Sequence, residues 1–196
     1  MREKDVDVSE EYTMVPSAPW RNDPRYAIVH HSGGNDIPIE TVDRIHREER
    51  GWLGVAYQYW IRRDGTVEIG RHEGQVGSHA GPDFNARSIG ICLTGNFQND
   101  YPTDNQLDAL LELLRDLTNR YPITPERILG HRDVRATKCP GNVLYEQLPD
   151  FRHVLTIDKP DSVSRDSYKI EALSVIERIE GDLAKLRATL TGDTDG

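Results

Sequence analysis

Long hydrophobic runs are missing from this 196-residue chain. None approaches the roughly 20 apolar residues that a membrane-crossing helix needs, so no membrane insertion is expected. Cysteine is scarce too: Cys92 and Cys139 are the only two, which excludes a disulfide framework. Cys92 lies in the apolar run Ile89-Gly90-Ile91-Cys92-Leu93 and reads as a small buried hydrophobe. If Cys139 binds a metal, no disulfide remains possible and no oxidising compartment is required. Positive charge is in deficit, with 24 Lys+Arg against 33 Asp+Glu and a net charge of −9. That balance argues against charge-driven binding to nucleic acid or anionic lipid. The opening Met1-Arg2-Glu3-Lys4-Asp5-Val6-Asp7 lacks the apolar core of a secretory signal, so synthesis in the cytoplasm is expected.

Hydrophobic residues make up 36% of the chain and charged ones 29%, a ratio that suggests exposed tails around a real core. Residues 1–22 are polar and acidic and read as a flexible or loosely docked arm. A folded body is expected over 23–155, a linker over 156–166 and a heptad-patterned helix over 167–192. In that last segment Ala172, Ile176, Ile179, Leu183, Leu186 and Leu190 alternate steps of four and three. Such a seam over 172–190 fits either a homo-oligomer or a single amphipathic helix docked on the body.

Within the body, Tyr26 to His30 reads as a buried strand and Thr41 to Arg50 as a helix ended by Gly51. Val55 to Arg62 and Thr66 to Ile69 flank Arg63-Asp64-Gly65, a hairpin signal. Ser88 to Thr94 reads as a central strand buried on both faces. Thr103-Asp104-Asn105-Gln106 is a capping box, and Leu107, Leu110, Leu111, Leu114 and Leu117 follow at helical spacing, so a helix is expected over 104–120. Thr124-Pro125 opens a further short turn of helix, with proline at its first position.

The chemistry concentrates in two places. The first strand ends in His30-His31-Ser32, and about a hundred residues later come His131 and Cys139, eight apart in Gly130-His131-Arg132-Asp133-Val134-Arg135-Ala136-Thr137-Lys138-Cys139-Pro140-Gly141. A strand holds the His30 ring rigidly, and His131 and Cys139 flank a loop able to bring both to one ion. Two imidazoles and a thiolate are the inventory of a zinc site with one position left open, as catalytic rather than structural sites have.

The words around these residues carry a resemblance. Tyr26-Ala-Ile-Val-His-His-Ser32, Ala56-Tyr-Gln-Tyr-Trp-Ile61, Asp64-Gly-Thr-Val-Glu-Ile-Gly-Arg71, Gly77-Ser-His-Ala80, Ser88-Ile-Gly-Ile91, Gly95-Asn-Phe97 and Gly130-His-Arg-Asp133 with Cys139-Pro-Gly141 fall in one order. From about Tyr26 to Tyr145 the chain resembles the zinc-dependent N-acetylmuramoyl-L-alanine amidases of type 2. That superfamily includes phage lysozyme-type amidases and the peptidoglycan recognition proteins.

The resemblance implies an α/β fold, a mixed central β-sheet flanked by helices, with one Zn2+ in a groove on one face. It implies His30, His131 and Cys139 as ligands, with His31 turned to the opposite side of the strand. The implied substrate is a peptidoglycan muramyl-peptide, cut at the amide between N-acetylmuramic acid and L-alanine. Such a bond is a poor electrophile, and zinc both polarises it and makes water nucleophilic near neutral pH.

Tyr57 occupies the family's catalytic tyrosine position. Tyr59 shares its strand parity, so alternation alone does not choose between them, and the motif register favours Tyr57. Lysozyme-type members carry a catalytic lysine two residues before the third ligand. Here that position is Thr137, as in the recognition-protein branch, with Lys138 beside the cysteine. His79 and Asn85 match positions that line the substrate groove, although a turn-forming role also suits Asn85. His46, His72 and His153 read as ordinary polar positions. The implied activity is that of an endolysin or autolysin acting at the cell wall, an endolysin gaining access through a pore-former. A muramyl-peptide recognition module without catalysis is the alternative.

Overall fold

The computed structural model describes residues 14–157. Residues 1–13 of the expected arm, the linker beyond residue 157, the heptad helix and its 172–190 seam lie outside the described residues. Five strands make one mixed sheet: β1 (Tyr26–His31), β2 (Tyr59–Ile61), β3 (Val67–Ile69), β4 (Ser88–Leu93) and β5 (Ile128–Gly130). Their order is β3-β2-β4-β1-β5, all neighbours parallel except the β2–β3 hairpin turned at Arg63-Asp64-Gly65. The helices are α1 (Ile39–Glu48), α2 (Pro82–Asn85), α3 (Asp104–Arg120), α4 (His131–Val134) and α5 (Asn142–Ile157). A single 3-10 turn at Pro125–Arg127 leads into β5.

Every residue of β4 is buried, as its near-continuous apolar run requires of a strand with parallel neighbours and both faces covered. One face, with Ala27, Val29, Tyr59, Ile61, Ile89, Ile91 and Leu93, packs on Leu110, Leu114 and Leu117 of α3 and Leu144, Leu148 and Phe151 of α5. The other face carries Trp60 and Cys92 against Ile39 and Val42 of α1. The capping box of α3 forms: Gln106 N donates to Thr103 Oγ1 and Thr103 N to Gln106 Oε1, each at 3.2 Å. The Gln106 amide nitrogen also donates to Thr94 O at 2.9 Å, so one buried side chain caps the helix and satisfies the end of β4.

Three elements differ from expectation. Helix α5 is absent from the sequence reading. Its apolar positions Leu144, Leu148, Phe151 and Leu155 do recur at helical spacing, but Pro149 interrupts the interior, where proline removes a backbone donor. The run from Val55 pairs as a strand only from Tyr59, because the chain bends at Gln58. The described end of the acidic arm is docked: Val15 and Ala18 are buried beside α1, and Met14 N donates to Gly70 O at 3.0 Å. Buried Gln75 holds this segment by donating from its amide to Val15 O at 2.9 Å. Two apolar side chains and a buried amide outweigh the polarity of their neighbours.

A buried carboxylate ties α3 to the loop after β3. Glu73 receives a bidentate pair from Arg120 (2.6 and 2.7 Å) and hydrogen bonds from Tyr121 (2.7 Å) and Tyr59. Burial pushes its carboxyl pKa up, but the hydrogen bonds from Arg120, Tyr59 and Tyr121 outweigh that and leave it below the ordinary value. A depressed folded-state pKa contributes stability that is full above the unfolded value, ~4.3, and lost as pH falls through the folded value. Glu73→Gln is expected to cost about 2 kcal/mol at pH 7. This is less than the ~3–5 kcal/mol for breaking a fully buried pair, because Arg120 keeps 37% of its side-chain exposure. Urea melts check this, and between pH 5 and 3 the variant should lose stability less steeply than the wild type.

Candidate metal centre

The site forms where parallel strands end. The β1–β5 register pairs Val29 with Gly130, so the next residues, His30 and His131, emerge side by side from adjacent strand ends, with ring centroids 4.4 Å apart. Such a crevice outside the carboxyl ends of strands is where open α/β sheets bind ligands. His131 opens α4, and the chain returns from that short helix through a tight loop. Arg132 N donates to Cys139 O at 2.9 Å, the Arg132 guanidinium holds Lys138 O, and Gly141 N donates to Lys138 O at 2.8 Å. Gly141 has φ +91°, and a Cβ there would stand 2.2 Å from the Phe97 carbonyl carbon. Only glycine fits where the loop crosses that backbone. The Cys139-Pro140 peptide is cis.

Ligand atoms of His30, His131 and Cys139 all lie within 4.8 Å of one another, and His30 Nδ1 is 3.7 Å from Cys139 Sγ. His30 is 1% exposed. Its pKa sits well below the ordinary value because of burial and then the neighbouring imidazoles His79, His131 and His31. Burial and then Arg135 lower His131 as well, so both rings present neutral nitrogens. Burial pushes the Cys139 thiol up to about 11, against the lowering effects of the His31 N–H and Arg132. Two neutral imidazoles and one thiol drawn together beside the His31 N–H, 3.4 Å from the sulfur, fit a borderline-soft divalent ion such as zinc. His31 itself turns away, its Nδ1 accepting from Phe97 N at 3.1 Å.

The bend at Gln58 decides which tyrosine belongs to the site. Gln58 Oε1 accepts from Gly90 N at 2.8 Å, and its amide nitrogen donates to Gln75 O at 3.0 Å. The resulting break in alternation puts Tyr57 on the His30 face, while Tyr59 joins the opposite core and meets Glu73. Equal parity in the sequence therefore does not survive in the fold. The Tyr57 ring lies 5.1 Å from that of His30. Burial raises the pKa of that phenol well above the ordinary value, so it is a proton donor at neutral pH. His46 is buried rather than an ordinary polar position. It sits between Trp52 (4.8 Å) and Tyr57 (6.3 Å), in a row of rings leading from His30 to a groove of about 330 Å³. Trp52, Leu53 and Arg71 line that groove with Pro19, Gly51, Val76, Gly77 and Ser78.

The other expected site residues have different surroundings. Thr137 is exposed, its Oγ1 accepting from Cys139 N at 3.2 Å, and the Lys138 side chain is exposed on the loop. His79 is 7% exposed and lies against His30 rather than in an open groove, with His79 Nδ1 and His30 Nε2 3.0 Å apart. Asn85 does turn work: its Oδ1 accepts from His79 N at 3.0 Å and Ala80 N at 2.8 Å. Sequence reasoning misses the His79–His30 pair because 49 residues separate its members. Asp133 is missed too. It accepts from Gly130 N (2.8 Å) and the Tyr145 hydroxyl (2.6 Å), bracing the start of α4, and its place two residues after His131 is the only local signal.

Residues 20–142 match the family model for N-acetylmuramoyl-L-alanine amidase. The chain belongs to that family. This amidase-family chain is similar to N-acetylmuramoyl-L-alanine amidase LysC from Clostridium intestinale, at 41% identity and TM-score 0.65 over 71% of this chain and 91% of that one. It is 34% identical to peptidoglycan-recognition protein LB of Drosophila melanogaster over 71% of this chain, spanning 64% of the fly protein. A mutant of that fly protein in complex with tracheal cytotoxin has the same fold, with TM-score 0.61 at 31% identity over 70% of this chain and 86% of that one. Mouse peptidoglycan recognition protein 1 is 33% identical over 71% of this chain and 88% of its own length. Among the described residues of this amidase-family chain, no helix is long and apolar enough to cross a membrane.

Proposed function

We propose that this chain is a zinc hydrolase that cleaves the amide between N-acetylmuramic acid and L-alanine in peptidoglycan. The observation carrying this reading is the convergence of His30, His131 and Cys139 on one point, with the Tyr57 ring against His30. Zinc held by those three donors supplies Lewis acidity, polarising the amide carbonyl and making water a usable nucleophile near neutral pH.

The chain's own residues supply the rest. Tyr57, a protonated phenol beside His30, donates a hydrogen bond to the oxygen that gains charge as water adds to the carbonyl carbon. Thr137 accepts from the Cys139 amide, which leaves its own hydroxyl proton able to donate toward substrate. The groove bordered by Trp52, Leu53 and Arg71 receives the stem peptide, its wall held by the buried Arg71 guanidinium donating to Val55 O and Val76 O. Similarity to the clostridial amidase supports an endolysin or autolysin that acts at the cell wall.

Several of the similar proteins are named for recognition, which favours a binding module as the second reading. Purified peptidoglycan separates the two. New L-alanine amino termini released by protein carrying one zinc per chain support hydrolysis. Stoichiometric zinc with no release on several wall types supports binding alone.

A further inference from the structure

His79 has a contact that neither a groove-lining role nor the ligand set explains. Its Nδ1 lies 3.0 Å from Nε2 of His30, and both rings are buried. The other nitrogen of His30, Nδ1, faces Cys139 Sγ. A ring nitrogen that holds a metal cannot carry a proton, so with Nδ1 as ligand the single proton of neutral His30 sits on Nε2. That N–H needs an acceptor, and His79 Nδ1 is placed to be it.

We infer that His79 is a positioning residue for the metal: it fixes the tautomer and ring orientation of His30 through the Nε2–H to Nδ1 hydrogen bond. The inference rests on the zinc reading above. Two further observations favour it over a substrate contact. First, the loop carrying His79 is pinned, with Gly77 N donating to Asn85 O and Ser78 N to Ala56 O, each at 2.9 Å, while Asn85 Oδ1 holds the His79 amide. Second, the ring fills a slot that two glycines make possible, since a Cβ at Gly77 or at Gly90 would come within 2.5 Å of its Cδ2. With Nδ1 accepting, the proton of neutral His79 sits on its other ring nitrogen, Nε2, which faces that slot. A Cβ at either glycine would lie 2.7 Å from it, and it is buried without a hydrogen-bond partner among the described residues. The one nitrogen of His79 with a partner is thus the one directed at the metal ligand. Partners of this kind orient ligating imidazoles and raise their basicity, and their loss typically costs 10–100-fold in metal affinity.

Zinc affinity, measured by competition with a chromophoric chelator at fixed pH, tests this without reference to activity. His79→Phe keeps an aromatic ring in the slot but accepts nothing, and is expected to weaken zinc binding by roughly 10–100-fold. His79→Gln offers a side-chain carbonyl to the same N–H and is expected to recover most of that loss. Melting of the metal-free proteins should be alike for the two variants. Unchanged zinc affinity in His79→Phe together with lost muramyl-peptide binding would overturn the inference and make His79 a substrate contact. Equal weakening in both variants would overturn it in favour of slot packing. A wild type that binds no zinc would sink the metal reading itself, and this inference with it.

Discussion

Cys139→Ser is expected to lose stoichiometric zinc and peptidoglycan hydrolysis together while keeping the fold. The thiolate is the one anionic donor of the three, and serine at neutral pH offers only a neutral hydroxyl in its place. Zinc-finger sites bind with ~10–16 kcal/mol over four ligands, so removing one is worth about 3 kcal/mol, a loss on the order of a hundredfold. The fold should survive because the loop is tied by main-chain groups: Arg132 N to Cys139 O, Gly141 N to Lys138 O, and the Arg132 guanidinium to Lys138 O. Metal analysis, chelator competition and release of L-alanine amino termini on one preparation check all three statements. Full zinc occupancy in the serine variant would remove the thiolate from the ligand set.

Tyr57→Phe is expected to lower kcat by about 10²–10³ with little change in KM, the size of effect seen when one oxyanion donor is removed. The ring contacts with His30, His46 and Trp60 remain, so zinc content and melting behaviour should stay near wild type. Tyr59→Phe is the internal contrast. Its hydroxyl meets Glu73 on the far side of the sheet, so that variant should lose stability by about 1 kcal/mol and keep kcat. Equal kcat losses in the two variants would contradict the division of labour that the bend at Gln58 creates.

The donor set was legible in the sequence because its members are chemically unusual. An imidazole at the end of an apolar strand and a second imidazole eight residues before a lone thiol have few other uses together. The central strand β4 was legible because its apolar run suits a strand covered on both faces, and α3 because the Thr103–Gln106 box and the leucine spacing agree. Helix α5 was hidden by Pro149, although its apolar spacing was present. The docking of Met14 to Asn22 was hidden by the polarity of neighbouring residues, since only Val15 and Ala18 are buried there.

By itself, then, the sequence determined which residue types could hold a metal, which segments form the central strands and the long helix, and which family they resemble. Those properties reside in residue chemistry and in patterns a few positions long. Tertiary structure decided what strand parity left open, that Tyr57 rather than Tyr59 faces His30, and it alone showed that His79 backs His30; it also chose the turn role for Asn85, which braces the His79 loop. The first two depend on a buried polar group finding its partner far along the chain, as His79 does with His30 and Gln58 with Gly90 and Gln75. Burial makes such partners obligatory, and only the folded arrangement of strands names them.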